Sequence, residues 1–302
     1  MSSLPVLVHG ARGAQGAAVV RAALAAGMRV RVLLRGEAPN PFGDAVEVAR
    51  GDLADVASLR RASSGVSAVY LVIPVSAGPA EVELWGRNAI DAATGAGVER
   101  VVFNTSSVGS SRSTGVASID AKLALEQRLQ VTPIPSVVLR TTLYMGTLAG
   151  PWIAPAMVQR GELAYPLAAG QRVSWISWEE AARYAVAALA HPQLAARKPI
   201  LQTGGAQALT GHEVAAILGR AIGRRVAWTE VGLNTFESGL KASLGASAAA
   251  DIVAFYRWVS DPSNSNPLAV DPATVQAQLP VAQTSLTTWA SQVGWSALET
   301  AA

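Results

Sequence analysis

The chain is 302 residues long, half of them hydrophobic and only 15% charged, with a formal net charge of +3 and no cysteine. That composition is ample for a large buried core, and it excludes disulfides, thiol catalysis and cysteine-ligated metal. The basic residues form no stripe for nucleic acid, and His9, His191 and His212 lie too far apart in sequence to suggest a metal motif.

The first predicted element is a strand over Leu4 to Val8. It leaves no charged leader or cleavable apolar segment ahead of it, and no later run is long enough to span a bilayer, so a cytoplasmic protein without membrane contact is the expectation. A loop with Gly10, Gly13 and Gly16 follows, then an Ala-rich helix and a second strand ending on Arg35. The spacing G-x-x-G-x-x-G differs from the usual G-x-G-x-x-G, but the physics is shared. Glycines let the backbone turn sharply and approach a pyrophosphate, whose charge then sits at a helix N-terminus. Gly10, Arg12, Gly13, Ala14, Gln15 and Gly16 are therefore the candidate cradle. An acidic residue at the second strand's tip would bond a ribose 2′-hydroxyl and favour NAD. Arg35 stands there instead, with Arg12 in the loop, and guanidinium groups pair with a 2′-phosphate. NADPH is the expected cofactor. The competing reading of Arg35 is a solvated strand-end arginine.

Strands and helices go on alternating. A strand is predicted over Val46 to Ala49, a short helix from near Asp55, a strand over Ser67 to Ile73 and a helix over Glu81 to Gly97. A fifth strand lies in ERVVFNTSS, a helix runs from about Ser118 to Gln130, and SVVLRTT forms a sixth strand. Continuous Val/Leu/Ile runs separated by helices indicate a parallel sheet covered on both faces, with ligands at its carboxyl end. The texture changes near Thr141, and seven of the eight tryptophans lie beyond residue 150. The predicted fold is α/β: a Rossmann-type doubly wound parallel sheet with a smaller, mainly helical C-terminal substrate lobe. An NAD(P)-binding domain is assigned to residues 1–145 and the lobe to 146–302, with the chain crossing back to the sheet. Within the lobe, helices are predicted over Trp178 to Ala190 and Thr210 to Ile222, a strand near Arg225 to Val231, and a surface loop near Asp261.

Taken together, GARGAQG, Arg35, ARGDLAD (Ala49 to Asp55), NTSS (Asn104 to Ser107), DAKLALEQRL, LRTTLYM (Leu139 to Met145) and the WEEAARYAVAALAHP helix resemble the NmrA-like branch of the short-chain dehydrogenase/reductase superfamily. LQTGGAQALTGHEVAAILGRAIGRRV is similar to that branch as well, so the resemblance covers most of the chain. It implies adenine contacts at Asp52 and Leu53, a place beside the nicotinamide ribose for Ile73 and Pro74, and a place near the nicotinamide for Asn104, Thr105 and Ser106. Lys122 then corresponds to the lysine that bonds the nicotinamide ribose hydroxyls. The bland alternative for Lys122 is an exposed helical lysine paired with Glu126 at i+4, worth a few tenths of a kcal/mol.

Ordinary members of the superfamily carry Tyr-x-x-x-Lys, whose phenol protonates the carbonyl as hydride arrives. Here Ser118 stands four residues before Lys122, and no tyrosine occurs between Tyr70 and Tyr144. A serine hydroxyl is a poor general acid near neutral pH. Either the acceptor is electrophilic enough to take hydride without a strong built-in acid, or the protein does not catalyse. The resemblance supports the first course, since NmrA-like reductases lack the tyrosine and accept quinones, cationic dyes or azo dyes without flavin. An NADPH-dependent reductase of quinone, azo or imine-like compounds is therefore expected, with an NADP(H)-sensing regulator without turnover as the rival. Tyr144, Met145, Trp152, Tyr165 and Trp175 are candidate walls for a flat conjugated substrate, as are Met157 and Trp178. For any one of these, a place in the core is the competing reading. Ser118, Tyr144 or water could deliver the proton. A homodimer is compatible with the sequence but not required by it.

Overall fold

Short β-branched runs build the sheet. In the computed structural model, which describes residues 4–298, they appear in the order β1 (Val6–Val8), α1 (Ala14–Ala25), β2 (Val30–Leu34), β3 (Glu47–Arg50), α2 (Val56–Ser63), β4 (Ala68–Val72), α3 (Pro79–Gly95), β5 (Arg100–Asn104), α4 (Ala117–Val131) and β6 (Ser136–Thr141). The chain goes on through α5 (Ala154–Arg160), β7 (Glu162–Tyr165), α6 (Trp178–Leu189), α7 (Pro192–Ala196), β8 (Ile200–Thr203), α8 (Gly211–Ile222) and β9 (Ala227–Glu230). Four helices complete it: α9 (Leu233–Leu244), α10 (Ala246–Val259), α11 (Ala273–Gln276) and α12 (Leu286–Gln292).

Contacts divide the chain into two units. One runs through Thr141 and adds Ala181–Gln202 and Val275–Val281; the other holds Thr142–Glu180, Thr203–Thr274 and the chain from Ala282 onward. The first unit is built on a seven-stranded sheet of order β3-β2-β1-β4-β5-β6-β8. The order reverses between β1 and β4, which pair in parallel, so a crevice opens there at the strands' carboxyl ends. This is the predicted Rossmann-type α/β architecture. Its seventh strand went unread in the sequence, because Ile200–Thr203 is short, follows Pro199 and alternates exposed and buried residues at the sheet edge.

The core follows from the pleat. Leu7, Val69, Leu71, Val101, Phe103 and Val138 bury one face of the sheet in a cluster with Leu59 of α2, Ile90 of α3 and Leu125 and Leu129 of α4. The cross-strand partners Val32, Val8, Tyr70, Val102 and Val137 are equally buried on alternate positions. α3 and α4 pack closely because Gly86 has no side chain; a Cβ there would lie 2.2 Å from Leu125 Cδ1.

Local signals set the helix starts. Asp55 caps α2 by accepting from the Ala57 N–H at 2.9 Å, and the Glu81 carboxylate reaches back to the Gly78 N–H at 2.9 Å ahead of α3. Thr210 and Glu213 form a capping box at α8.

The second unit is mainly helical and also holds a two-stranded parallel sheet, β7 with β9. Its apolar centre is aromatic. Tyr165 lies 5.4 Å from both Trp175 and Trp228 between ring centroids, and its hydroxyl meets that of Tyr256 at 2.7 Å. The predicted surface loop near Asp261 is a single 3-10 turn, started by the Asp261 carboxylate on the Ser263 N–H. Among the described residues no helix is long and apolar enough to cross a membrane.

Candidate functional site

The glycine loop turns out of β1 at Gly10, whose φ of +65° is the left-handed conformation that glycine adopts without strain. Gly16 is required for a different reason. A Cβ there would lie 2.2 Å from the Gly10 carbonyl oxygen, so α1 can press against the loop only without one. The helix then starts at Gly13 with no side-chain cap and no acidic residue in its first turn. Its leading N–H groups, together with the helix dipole, favour an anion at this end.

Arg12 and Arg35 are both exposed, and neither guanidinium has a hydrogen-bonding or ion-pair partner among the described residues. Arg50, which sequence reading passed over, shapes the Arg35 tip by donating to the Gly36 and Ala38 carbonyls at 2.8 and 2.7 Å. The chain therefore offers an uncapped helix end and two uncommitted guanidinium groups within one βαβ unit. That is the donor set a diphosphate bearing an extra phosphate needs, so the residues fit an NADP-type nucleotide.

At the end of β3, Asp52 turns its carboxylate onto the Ala54 N–H at 2.9 Å, and its own N–H donates to Ser58 Oγ at 3.0 Å. The Leu53 carbonyl accepts from Asn88 Nδ2 at 3.0 Å, so α3 holds this loop in place. Asn88 is a second residue that sequence reading missed. Ile73 is buried beyond the end of β4, and Pro74 is exposed in the turn that follows.

The end of β5 is more constrained than the motif suggested. Asn104 is 2% exposed and uses both ends of its carboxamide. Oδ1 accepts from the Ser106 N–H at 2.9 Å and from Thr141 Oγ1 at 3.0 Å; Nδ2 donates to Tyr70 Oη at 3.0 Å and to Gln15 Oε1 at 3.2 Å. Thr105 is also buried, and its hydroxyl donates to the Ser107 carbonyl at 2.7 Å. Of the three, only Ser106 is partly exposed. It sits at φ 56°, unusual for a residue with a side chain and a conformation that costs about 1–3 kcal/mol.

Lys122 on α4 donates to Ser107 Oγ at 3.1 Å. The alternative partner read from the sequence, Glu126, is taken elsewhere: its carboxylate receives Arg140 of β6 at 2.9 and 2.5 Å, and both side chains are buried. Arg140 also donates to the Ser110 carbonyl at 2.7 Å, tying down the loop between β5 and α4. Nearer α4 that loop is gathered by Asp120. Burial works to raise its carboxyl, but hydrogen bonds from Ser113, Thr114 and Gly115 bring it below its usual value. Ser118 is half-buried one turn ahead of Lys122 on the same helix.

His9 stands between the end of β1 and Gly10, and its backbone N–H donates to the Tyr70 carbonyl at 3.0 Å. It is 1% exposed, and neither ring nitrogen has a partner among the described residues. Burial lowers its pKa from 6.5 to about 4, so the folded protein holds it neutral. Between pH 6.5 and 4 the unfolded chain binds a proton that the folded chain refuses. This stability is therefore complete above 6.5, falls by about 1.4 kcal/mol per pH unit on acidification and levels out below 4. Urea midpoints measured from pH 7 to 4 should fall more steeply for the wild type than for His9→Phe. Parallel curves would rule His9 out.

The candidate substrate residues belong to the second unit. Tyr144 and Met145 are buried where the Met145 N–H bonds the Ile176 carbonyl at 2.8 Å, and Trp152 is 60% exposed. Tyr165, Met157 and Trp175 are buried, the first and last in the aromatic centre. Burial pushes the Tyr165 phenol up to about 12, so it stays protonated near neutral pH. Trp178 is half-buried, its ring stacked on Gly146, where a Cβ would lie 2.3 Å away.

A family model described as "NmrA-like family" matches residues 3–291. The chain is 32% identical over 244 residues to an NAD(P)H azoreductase of Xenophilus azovorans, spanning 80% of each protein. Among solved structures it is similar to the Citrobacter sp. triphenylmethane reductase complexed with NADP(H), with a TM-score of 0.79 and 21% identity over 95% of this chain and 99% of that one. An Escherichia coli NADPH-dependent quinone oxidoreductase complexed with NADPH gives a TM-score of 0.72 and 21% identity over 95% and 98%. The structural likeness at this identity speaks for the fold. Descent rests on a family match along nearly the whole length and on a relative alike over four-fifths of it: the chain belongs to the NmrA-like family.

Proposed function

We propose that the protein is an NADPH-dependent, flavin-free reductase that passes hydride to an electrophilic conjugated acceptor, with azo compounds first and quinones and iminium-type compounds beside them. The observation that carries this reading is the uncapped N-terminus of α1 with the uncommitted guanidinium groups of Arg12 and Arg35, a donor set for an NADP-type nucleotide. The azoreductase relative and the two reductase structures support the same class. When bound, the nucleotide supplies a hydride.

The chain supplies the rest. The first turn of α1, with Gly10, Gly13, Ala14, Gln15 and Gly16, holds the diphosphate, and Arg35 with Arg12 holds the 2′-phosphate. Asp52 and Leu53 border the adenine, Ile73 and Pro74 the nicotinamide ribose, and Lys122 bonds that ribose's hydroxyls. Asn104 and Thr105 hold the end of β5 in place beneath Ser106. Tyr144, Met145 and Trp152 are the side chains we assign to the substrate wall. Tyr165 and Trp175 act from behind them as packing.

The test is NADPH oxidation, followed at the nicotinamide absorbance band, across a panel of azo dyes, quinones and cyclic imines. Turnover with no bound flavin is expected. Tight NADPH binding with no oxidation by any acceptor would instead favour a nucleotide-sensing regulator.

A further inference from the structure

Hydrogen-bond directions at the end of β5 can be assigned from one fixed point. The Ser106 backbone N–H can only donate, so the Asn104 atom 2.9 Å from it is the carboxamide oxygen. The other end of Asn104 is then the NH₂ group, so the Gln15 atom 3.2 Å from it is an oxygen. Ser106 Oγ lies 2.7 Å from that same oxygen, and only its own proton can close the contact. The Ser106 hydroxyl thereby commits its proton to Gln15 and presents only lone pairs elsewhere.

Ser107 is set the opposite way. Its oxygen accepts from Lys122 Nζ at 3.1 Å, and an ammonium has only protons to offer. The Ser107 proton must therefore point elsewhere, and its acceptor among the described residues, the Thr105 carbonyl, is a distant 3.4 Å away. The hydroxyls of two neighbouring, partly exposed residues thus carry opposite polarity.

We propose that Ser107 and Lys122 together form the proton-delivering pair that replaces the absent tyrosine, with Ser107 as the catalytic hydroxyl. This rests on the reductase reading above. As hydride adds to one atom of the acceptor and its π bond breaks, the Ser107 O–H proton passes to the atom left negative. Ser107 takes a proton from the Lys122 ammonium in the same movement, and water returns one to Lys122. For an azo compound the N=N π bond is lost and two N–H bonds form; for a quinone the product is a hydroquinone.

The relay answers the objection to serine as an acid. An alcohol is a weak acid by itself, but lysine ammonium groups titrate near about 10 in free peptides, and the hydroxyl only conducts that proton. The geometry also selects between candidates. Ser106 cannot donate without breaking its bond to Gln15, and its lone pairs suit an N–H donor such as a carboxamide.

The test compares Ser107→Ala, Ser107→Thr, Ser106→Ala and Lys122→Arg with wild type, using one azo dye and one quinone. Each protein is measured for NADPH dissociation constant by nicotinamide fluorescence, kcat in H₂O and D₂O, and thermal midpoint. Ser107→Ala is expected to lose about 10- to 100-fold in kcat on the azo dye, whose reduced nitrogen is strongly basic. On the quinone, whose product oxygen titrates like a phenol, the loss should be under about threefold. Its solvent isotope effect should change while NADPH affinity and thermal midpoint hold, and Ser107→Thr should restore the rate. Lys122→Arg keeps the charge but gives up no proton, so whatever it costs in NADPH binding with either acceptor, its kcat should fall further on the azo dye than on the quinone. Ser106→Ala should weaken NADPH binding and leave the solvent isotope effect intact.

If Ser107→Ala and Lys122→Arg both match wild type on the azo dye, the pair is not the proton source and the reductase reading survives. If wild type binds NADPH and oxidises it with neither acceptor, both fall together.

Discussion

Arg35→Ser is expected to weaken NADPH binding about 10- to 100-fold while changing NADH affinity by less than about threefold. The two nucleotides differ only by the 2′-phosphate, and a charge-assisted bond to that group is worth about 1.5–3 kcal/mol. Arg35 suits the role because its guanidinium is exposed and uncommitted, at a strand tip held by Arg50 through the Gly36 and Ala38 carbonyls. Fluorescence titrations with both nucleotides at low and moderate salt provide the measurement. Equal losses for NADPH and NADH would remove Arg35 from the 2′-phosphate site, and a loss that did not shrink with salt would argue against an exposed charge contact.

The second large effect is structural. Glu126→Gln is expected to destabilise the protein by about 3–5 kcal/mol, because it removes the buried carboxylate that pairs with the buried Arg140 guanidinium. Removing both charges together, in Glu126→Leu/Arg140→Met, should recover most of that loss, since the desolvation cost of the pair disappears with it. Urea unfolding of the single and double variants measures this directly. A single variant within about 0.5 kcal/mol of wild type would show that the pair contributes little. Arg140 also holds the Ser110 carbonyl, so susceptibility of residues 109–116 to proteolysis should rise in Arg140→Met and stay low in the wild type.

Arg35 and the Arg140–Glu126 pair differ in how far the order of residues exposes them. Arg35 is visible in the sequence, because a strand tip after a glycine loop is defined by neighbours in the chain. The Arg140 pair is not. Glu126 reads as the i+4 partner of Lys122 on one helix, and only the packing of α4 against β6 gives it to Arg140 across 14 residues. Lys122 stood out in the sequence as a candidate, but its partner Ser107 emerged from the loop that Arg140 and Asp120 hold. Asn104 was legible as the end of β5. Its saturation by Tyr70, Thr141, Gln15 and Ser106 draws on β4, β6, α1 and the following turn at once. In the second unit, a tryptophan-rich composition announced aromatic packing without sorting the residues. Burial does the sorting, placing Trp175 and Tyr165 in the centre and leaving Trp152 at 60% exposure.

The sequence by itself determined the parallel sheet, the glycine-rich turn after β1 and the family, because each is written in local periodicity, glycine placement and residues close along the chain. Tertiary structure alone decided that β8 completes the sheet, that Glu126 serves Arg140, and that the Ser106 hydroxyl donates to Gln15 while that of Ser107 accepts from Lys122. Those outcomes depend on which donors and acceptors meet across strands far apart in sequence. A hydroxyl's direction is set by its partners in space and has no trace in the order of residues.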